Sequence, residues 1–205
     1  MVREVTLGQL STALASMLPG FLSRYPDGRV ILTVDNRVVD LQIEGVDLAI
    51  RIGPLQDSEL IARRLATFEI WTCASPDYLS KHPPLRSPED LLSHRLLAHA
   101  ERRETWQFRT ESGAVRDIEV DAGDVIPEPD VMKTMLIAGC GIGLLPDFHA
   151  ASAVAEGRSV RLFPELKGRL LDAHALYPSH RSLSAKVRVF IDALVSHLAT
   201  AQIAP

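Results

Sequence analysis

Seven histidines and two cysteines are the first residues to weigh, because imidazole and thiol groups supply most nucleophiles, proton carriers and metal ligands. Their spacing assembles no such site. The histidines, His94 and His99 among them, form no compact cluster with metal-ligand spacing, so each reads as a surface or core residue. His174 lies in a β-like run and is the one histidine placed to face a cleft, although a core role is the simpler reading. Cys73 and Cys140 sit inside apolar runs with no neighbouring His or Lys to hold a thiolate. They read as two reduced core cysteines. No G-x-S-x-G, P-loop or H-E-x-x-H pattern is present. Gly139, Gly141 and Gly143 alternate, but they end a helical pattern and enter a strand, the reverse of a dinucleotide fingerprint. A tight helix-to-strand turn explains them without a phosphate. What remains are polar groups at element ends: Thr6, Ser75 and Asp130. Helix starts offer unpaired N–H groups and a positive dipole end, which suit an anion such as a carboxylate. Taken singly, each of the three is explained as a cap or turn residue.

The elements that would position these groups follow from patterning. Val38–Gly53, VVDLQIEGVDLAIRIG, reads as a short helix ended by Gly45 and a buried strand, Leu48–Ile52. So short and apolar a strand is usually covered on both faces, as in an α/β sheet. Its carboxyl end, Arg51-Ile52-Gly53, falls where open α/β sheets bind ligands. Before it, Thr6-Leu7-Gly8-Gln9 has the form of a capping box that opens a helix running to Tyr25, with Pro19 inside. Val30–Val34 reads as a strand. After it come extended segments at Glu59–Ala66 and Ile70–Ala74, then short helices near Asp77–His82 and Pro88–Leu92. Arg95–His99 reads as a strand and Glu101–Glu104 as a charged, solvated loop. Trp106–Thr110 and Val115–Val120 form a hairpin. Asp130 is the expected N-cap of a helix over Val131–Ala138, ended by Gly139. Ile142–Leu145, Val160–Phe163 and Leu171–Tyr177 are strands and Asp147–Glu156 a helix. Ser184 caps a final helix whose apolar face is Val187, Phe190, Ile191, Leu194 and Leu198. Alternation of strand and helix argues for parallel sheets with crossover helices.

Composition sets limits on function. The 205 residues are 46% hydrophobic and 23% charged, ordinary for a globular protein of one large domain or two subdomains. A net charge of −4 gives no support for direct nucleic-acid binding. No apolar run approaches the roughly 18 residues of a membrane span. The opening MVREVTLGQ lacks the apolar core of a signal peptide, which places the chain in the cytoplasm.

The run FLSRYPDGRVILTVDNRVVDLQIEGVDLAIRIGPLQDSELIARRLA resembles the effector-binding domain of LysR-type transcriptional regulators. WTCASPDYL, AGCGIGLLPDF and YPSHRSLSAKVRVFIDAL fit the same family in the same order, so the resemblance covers nearly the whole chain. It implies a periplasmic-binding-protein-like α/β fold: two subdomains joined by two crossover strands. Residues 1–68 with 178–205 would form the first subdomain and 69–177 the second, with crossovers near Ala66–Ile70 and His174–Tyr177.

The resemblance further implies a small effector, often a carboxylate, in the cleft between subdomains. Carried over by position, Thr6 and Leu7 match the opening of the first helix, and Arg51, Ile52 and Gly53 the strand end of the first subdomain. Ala74, Ser75 and Pro76 match a strand end near the crossover, and Asp130 and Val131 the helix start on the far wall. Partners would be the effector and a second copy of the chain, a homodimer that in full-length form can be a tetramer. No cofactor and no metal is implied. The winged helix-turn-helix of the family is absent from this chain, so DNA contact is expected only through that N-terminal domain. The family's opening strand is expected to be short or missing, since only Met1–Glu4 precede the matching Val5-Thr6. Three other readings compete: a secreted solute-binding protein of similar fold, a small α/β enzyme, and an effector-blind dimerisation remnant.

Overall fold

A computed structural model describes residues 5–7, 10–34, 41, 46–55, 57–178 and 185–203. The elements run β1 (Val5–Leu7), α1 (Ser11–Arg24), β2 (Leu32–Val34), β3 (Leu48–Ile52), β4 (Leu60–Ala74) and α2 (Pro76–Ser80). Then come β5 (Leu96–Ala98), β6 (Arg103–Arg109), β7 (Val115–Asp121), β8 (Asp124–Val125), α3 (Pro129–Ile137) and β9 (Ile142–Pro146). The chain ends with α4 (Asp147–Ala155), β10 (Val160–Arg161), β11 (Leu170–Pro178) and α5 (Ala185–Ile203). It divides into two units, Met1–Thr67 with Leu171–Pro205, and Phe68–Leu170. The return to the first unit comes at the start of β11. This is the periplasmic-binding-protein-like plan, with the chain crossing within β4 and at β11.

In the first unit, β1 lies between β2 and β3, parallel to both, and β11 adds antiparallel to β3. Leu48, Ala49 and Ile50 are buried, as the apolar run of β3 required. One expectation is corrected here. Thr6 is not a helix cap: it sits mid-strand in β1, opposite Thr33 and Ala49, and that strand is three residues long, the short form expected. The helix starts at Ser11 behind Leu10, whose side chain is fully buried and whose carbonyl accepts the Leu14 N–H at 3.1 Å. Partners on both sides outweigh a local Thr-x-x-Gln pattern, because a strand gains a full ladder of hydrogen bonds and a cap gains one or two. Pro19 lies inside α1 without ending it. On α5 the expected stripe, Val187, Phe190, Ile191, Leu194 and Leu198, is buried throughout. Phe190 meets Phe21 of α1 edge-on, with centroids 5.2 Å apart. Each such side chain contributes roughly 1.5–3 kcal/mol by leaving water. The helix expected over Val38–Gly45 and the cap expected at Ser184 lie outside the described residues.

In the second unit, β9 lies between β4 and β5, and β8 flanks β5. β5 is parallel to β8 and β9, whereas β4 is antiparallel to β9 and carries β10 antiparallel on its other side. The segments expected at Glu59–Ala66 and Ile70–Ala74 are one strand, β4. β6 and β7 form the expected hairpin, with alternate residues inward: Trp106, Phe108, Ile118 and Val120 are buried against Leu91, Leu96 and Ile142. Pro88–Ser93 is a 3-10 turn, with Ser87 and Asp90 as its capping box.

Candidate functional site

The rule that α/β sheets bind ligands beyond the carboxyl ends of their parallel strands selects one edge in each unit. In the first unit it selects the end of β3. There Arg51 is half-buried and stands directly across from His174 on β11, so the two side chains share a face of the sheet. Nδ1 of His174 is enclosed and meets no hydrogen-bond partner among the described residues. Gly53 turns the chain with φ of 98°, which a side chain would resist, and its N–H donates to the Asp172 carbonyl at 3.0 Å. The Asp172 carboxylate accepts from the Thr67 hydroxyl at 2.5 Å. Arg51, Ile52 and Gly53 thus form one strand end with His174 added, a residue whose β-like surroundings were the only sequence signal for it. Thr6 and Leu7 belong to the strand beside β3, opposite Ala49 and Ile50.

In the second unit the selected edge is the carboxyl ends of β5, β8 and β9. β5 leads into His99–Glu101; Glu101–Arg103 are exposed, as expected, but the backbone here is held. One Glu104 oxygen accepts the backbone N–H groups of His99, Ala100 and Glu101 at 2.9, 2.5 and 3.1 Å. β8 leads into α3, whose cap is Glu128 and not Asp130. The Glu128 carboxylate accepts the N–H groups of Asp130 at 2.8 Å and Val131 at 3.1 Å. Pro129 has no N–H to offer, and the Met132 N–H donates to the Glu128 carbonyl at 2.9 Å. Asp130 instead accepts from Lys133 at 2.9 Å and lies 3.3 Å from Nδ1 of the buried His149 on α4. Val131 is half exposed. β9 leads into α4 at Asp147, whose carboxylate accepts the Glu69 and Phe148 N–H groups at 3.1 and 2.7 Å. Burial pushes the Asp147 carboxyl above the ordinary carboxylate range, against the pull of those two amides.

Ala74, Ser75 and Pro76 are set apart from this edge. β4 runs antiparallel to β9, pairing Ile70 with Pro146 and Cys73 with Gly143, so Ala74 closes β4 at the opposite edge. Ser75 is buried as the cap of α2, accepting the Tyr78 N–H at 3.2 Å. A Cβ on Gly139 would lie 3.6 Å from its hydroxyl oxygen. Ser75 therefore adjoins the end of α3, with roughly 10 Å of helix separating it from Asp130 at 1.5 Å per residue. A strand end is a ligand-facing end only when the strand runs with its parallel neighbours, and sequence alone did not fix the direction of β4. Conversely, Glu69, at the correct edge of β4, is held by Arg161 at 2.8 Å and by the Gly168 N–H at 2.9 Å. It braces the entry to the second unit.

Two α/β units, each with its parallel strand ends turned to a rim of polar groups and helix starts, define a ligand-binding domain. The chain belongs to the LysR substrate binding domain family, whose model matches residues 3–199. It is 32% identical over 186 residues to the HTH-type transcriptional regulator PtxR of Pseudomonas aeruginosa, covering 90% of this chain and 60% of that protein. The regulatory domain of CrgA, a LysR-type transcriptional regulator from Neisseria meningitidis, superposes with a TM-score of 0.86 at 30% identity, over 97% of this chain and 98% of that one. The regulatory domain of the C227S variant of AphB from Vibrio vulnificus gives 0.79 at 29% identity, over 96% and 97%. The chain spans about 60% of the length of the curated relatives it matches. Among the described residues no helix is long and apolar enough to cross a membrane.

Proposed function

We propose that this domain senses a small anionic effector in the cytoplasm and reports it through a homodimer to a DNA-binding segment outside this chain. The observation that carries the anionic reading is Arg51 at the carboxyl end of β3, with His174 across from it and its Nδ1 without a partner among the described residues. Guanidinium and imidazole on one sheet face supply N–H donors to a carboxylate. Thr6, Leu7, Ile52 and Gly53 complete that side. Asp130 and Val131, at the start of α3 in the second unit, are proposed beside them as a carboxylate acceptor and an apolar surface. An effector that binds one state of the domain better than another favours that state, which is how occupancy becomes a signal.

The test is a melting screen of the chain against aromatic and aliphatic carboxylates, with Arg51→Ala alongside. A ligand at about 100 times its Kd adds roughly 2.7 kcal/mol to the folded state. A saturable rise in Tm confined to one chemical class, lost in Arg51→Ala, is the expected result. A rise in Arg51→Ala equal to that of the parent for every compound that raises Tm removes Arg51 from the site. A full-length regulator whose DNA affinity ignores the same compound refutes the sensing role.

A further inference from the structure

The first unit holds a cavity of about 470 Å3 between the end of α1 and the first turn of α5. Small-ligand sites occupy roughly 300–1,000 Å3. One part of its wall is apolar: Phe21, Tyr25, Val30 and Val189. Phe21 is anchored in the core by its edge contact with Phe190, and it lies tilted against Tyr25 with centroids 5.0 Å apart. Tyr25 remains 36% exposed. The other part is cationic. Arg24, Arg29 and Lys186 line it against one carboxylate, Asp27, and three less one leaves a surplus of two positive charges. The whole chain carries a net −4, so this is a local reversal of sign. None of the three cations has an ion-pair partner among the described residues. Lys186 stands in the first turn of the 19-residue α5, whose positive end adds to the same field.

We propose that this cavity is a second ligand site, for a small aromatic carboxylate, with the ring against Phe21, Tyr25 and Val189 and the acid on Arg24, Arg29 and Lys186. It shares no lining residue with the β3 strand end and does not depend on the sensing role proposed for that site. Neither feature alone selects this ligand: the apolar wall would accept any ring, and exposed cations any anion. Their adjacency in one cavity selects molecules that are both.

The test is calorimetric titration of the chain with 1-naphthoate. The expected result is saturable one-to-one binding that weakens with salt and at least tenfold in the Arg24→Glu/Lys186→Glu double variant. Both side chains are exposed, so the variant is expected to melt as the parent does, and Arg29→Glu serves if it does not. Arg51→Ala separates the two sites, because binding here is expected to persist in it. Absence of saturable heat, or equal affinity after charge reversal, overturns the proposal. So does binding lost in Arg51→Ala yet kept in the double variant, which would place naphthoate at the strand end. Apparent affinity that falls as protein concentration rises would give the cavity to a second copy of the chain, and overturns it too.

Discussion

The Glu128 carboxylate accepts the Asp130 N–H at 2.8 Å, and with the same oxygen the Val131 N–H at 3.1 Å. The positive end of α3 is therefore occupied by the protein's own anion. On the reading proposed above, the acid group of an effector therefore belongs with Arg51 and not with this helix start. Glu128→Ala is expected to lower stability by about 1 kcal/mol, the usual loss for a helix cap. Glu128→Asn, which keeps a capping oxygen at neutral charge, should recover most of it and tighten any anion at α3. Urea unfolding reads the first effect and titration with carboxylates the second. Unchanged stability in Glu128→Ala would mean that the cap does not hold in solution.

The alternating glycines fix backbone rather than ligand. A Cβ at Gly141 would stand 2.6 Å from the Arg95 carbonyl oxygen, and that oxygen accepts the Ile142 N–H at 2.9 Å. Backbone on both sides leaves little room to yield. Gly141→Ala should cost about 1–3 kcal/mol, as overpacking does. Gly113, at the tip of the β6–β7 hairpin with φ of 86°, has nothing near its absent Cβ. Gly113→Asn should cost less than about 1 kcal/mol, since Asn tolerates that backbone region. Equal losses in urea unfolding would contradict the packing argument.

Most of the frame was legible because burial leaves a periodic mark. Leu48–Ile52 and the stripe on α5 follow directly from apolar spacing, and the hairpin from two alternating runs around a Gly turn. The candidate site proposed here could be read only where it lay on such an element, as with Arg51. Thr6 was misread because a capping box and a strand entry share residue types, and only the pairing with β2 and β3 decides between them. Glu128 was missed because Glu is not a favoured N-cap; here Pro129 follows, leaving the next two amides to its longer side chain. Glu104 was missed because a run of charges reads as solvated until one of them is seen to gather three amides. Ser75 was read at a ligand-facing strand end because strand direction is a property of the sheet, not of the segment.

The two cysteines differ in environment. Cys73 is fully buried, and burial pushes its thiol up to about 12, against the Ser159 hydrogen bond and the Arg161 charge, which act the other way. Cys140 is only half-buried. The thiolate is the reactive form, so alkylation at pH 8 should label Cys140 in the folded chain and leave Cys73 intact until urea unfolds it. Mass spectrometry of peptides after brief iodoacetamide treatment reads this. Labelling of Cys73 at the rate of Cys140 in the folded state would show that its strand opens far more readily than its burial implies.

His94 gives the second unit a dependence on pH. Burial first, and the charge of His82 second, hold its imidazole below the ordinary value of 6.5; Asp90 and the Pro83 backbone pull the other way. Its Nε2 is enclosed with no partner among the described residues, while Nδ1 lies 3.4 Å from the Tyr78 hydroxyl. A proton on Nε2 would be buried without an acceptor. The unfolded chain, with the ordinary value, takes up that proton more readily than the folded one. The stability contributed by neutral His94 is therefore present above about pH 6.5 and is lost as pH falls through its lowered folded value. Tm should fall between pH 7 and pH 5, and by less in His94→Gln, which keeps polarity but does not titrate in this range. NMR titration of the imidazole should place its midpoint below 6.5. An equal fall of Tm in parent and variant would assign the acid sensitivity to other groups, and a midpoint at or above 6.5 would mean that water reaches the ring in solution.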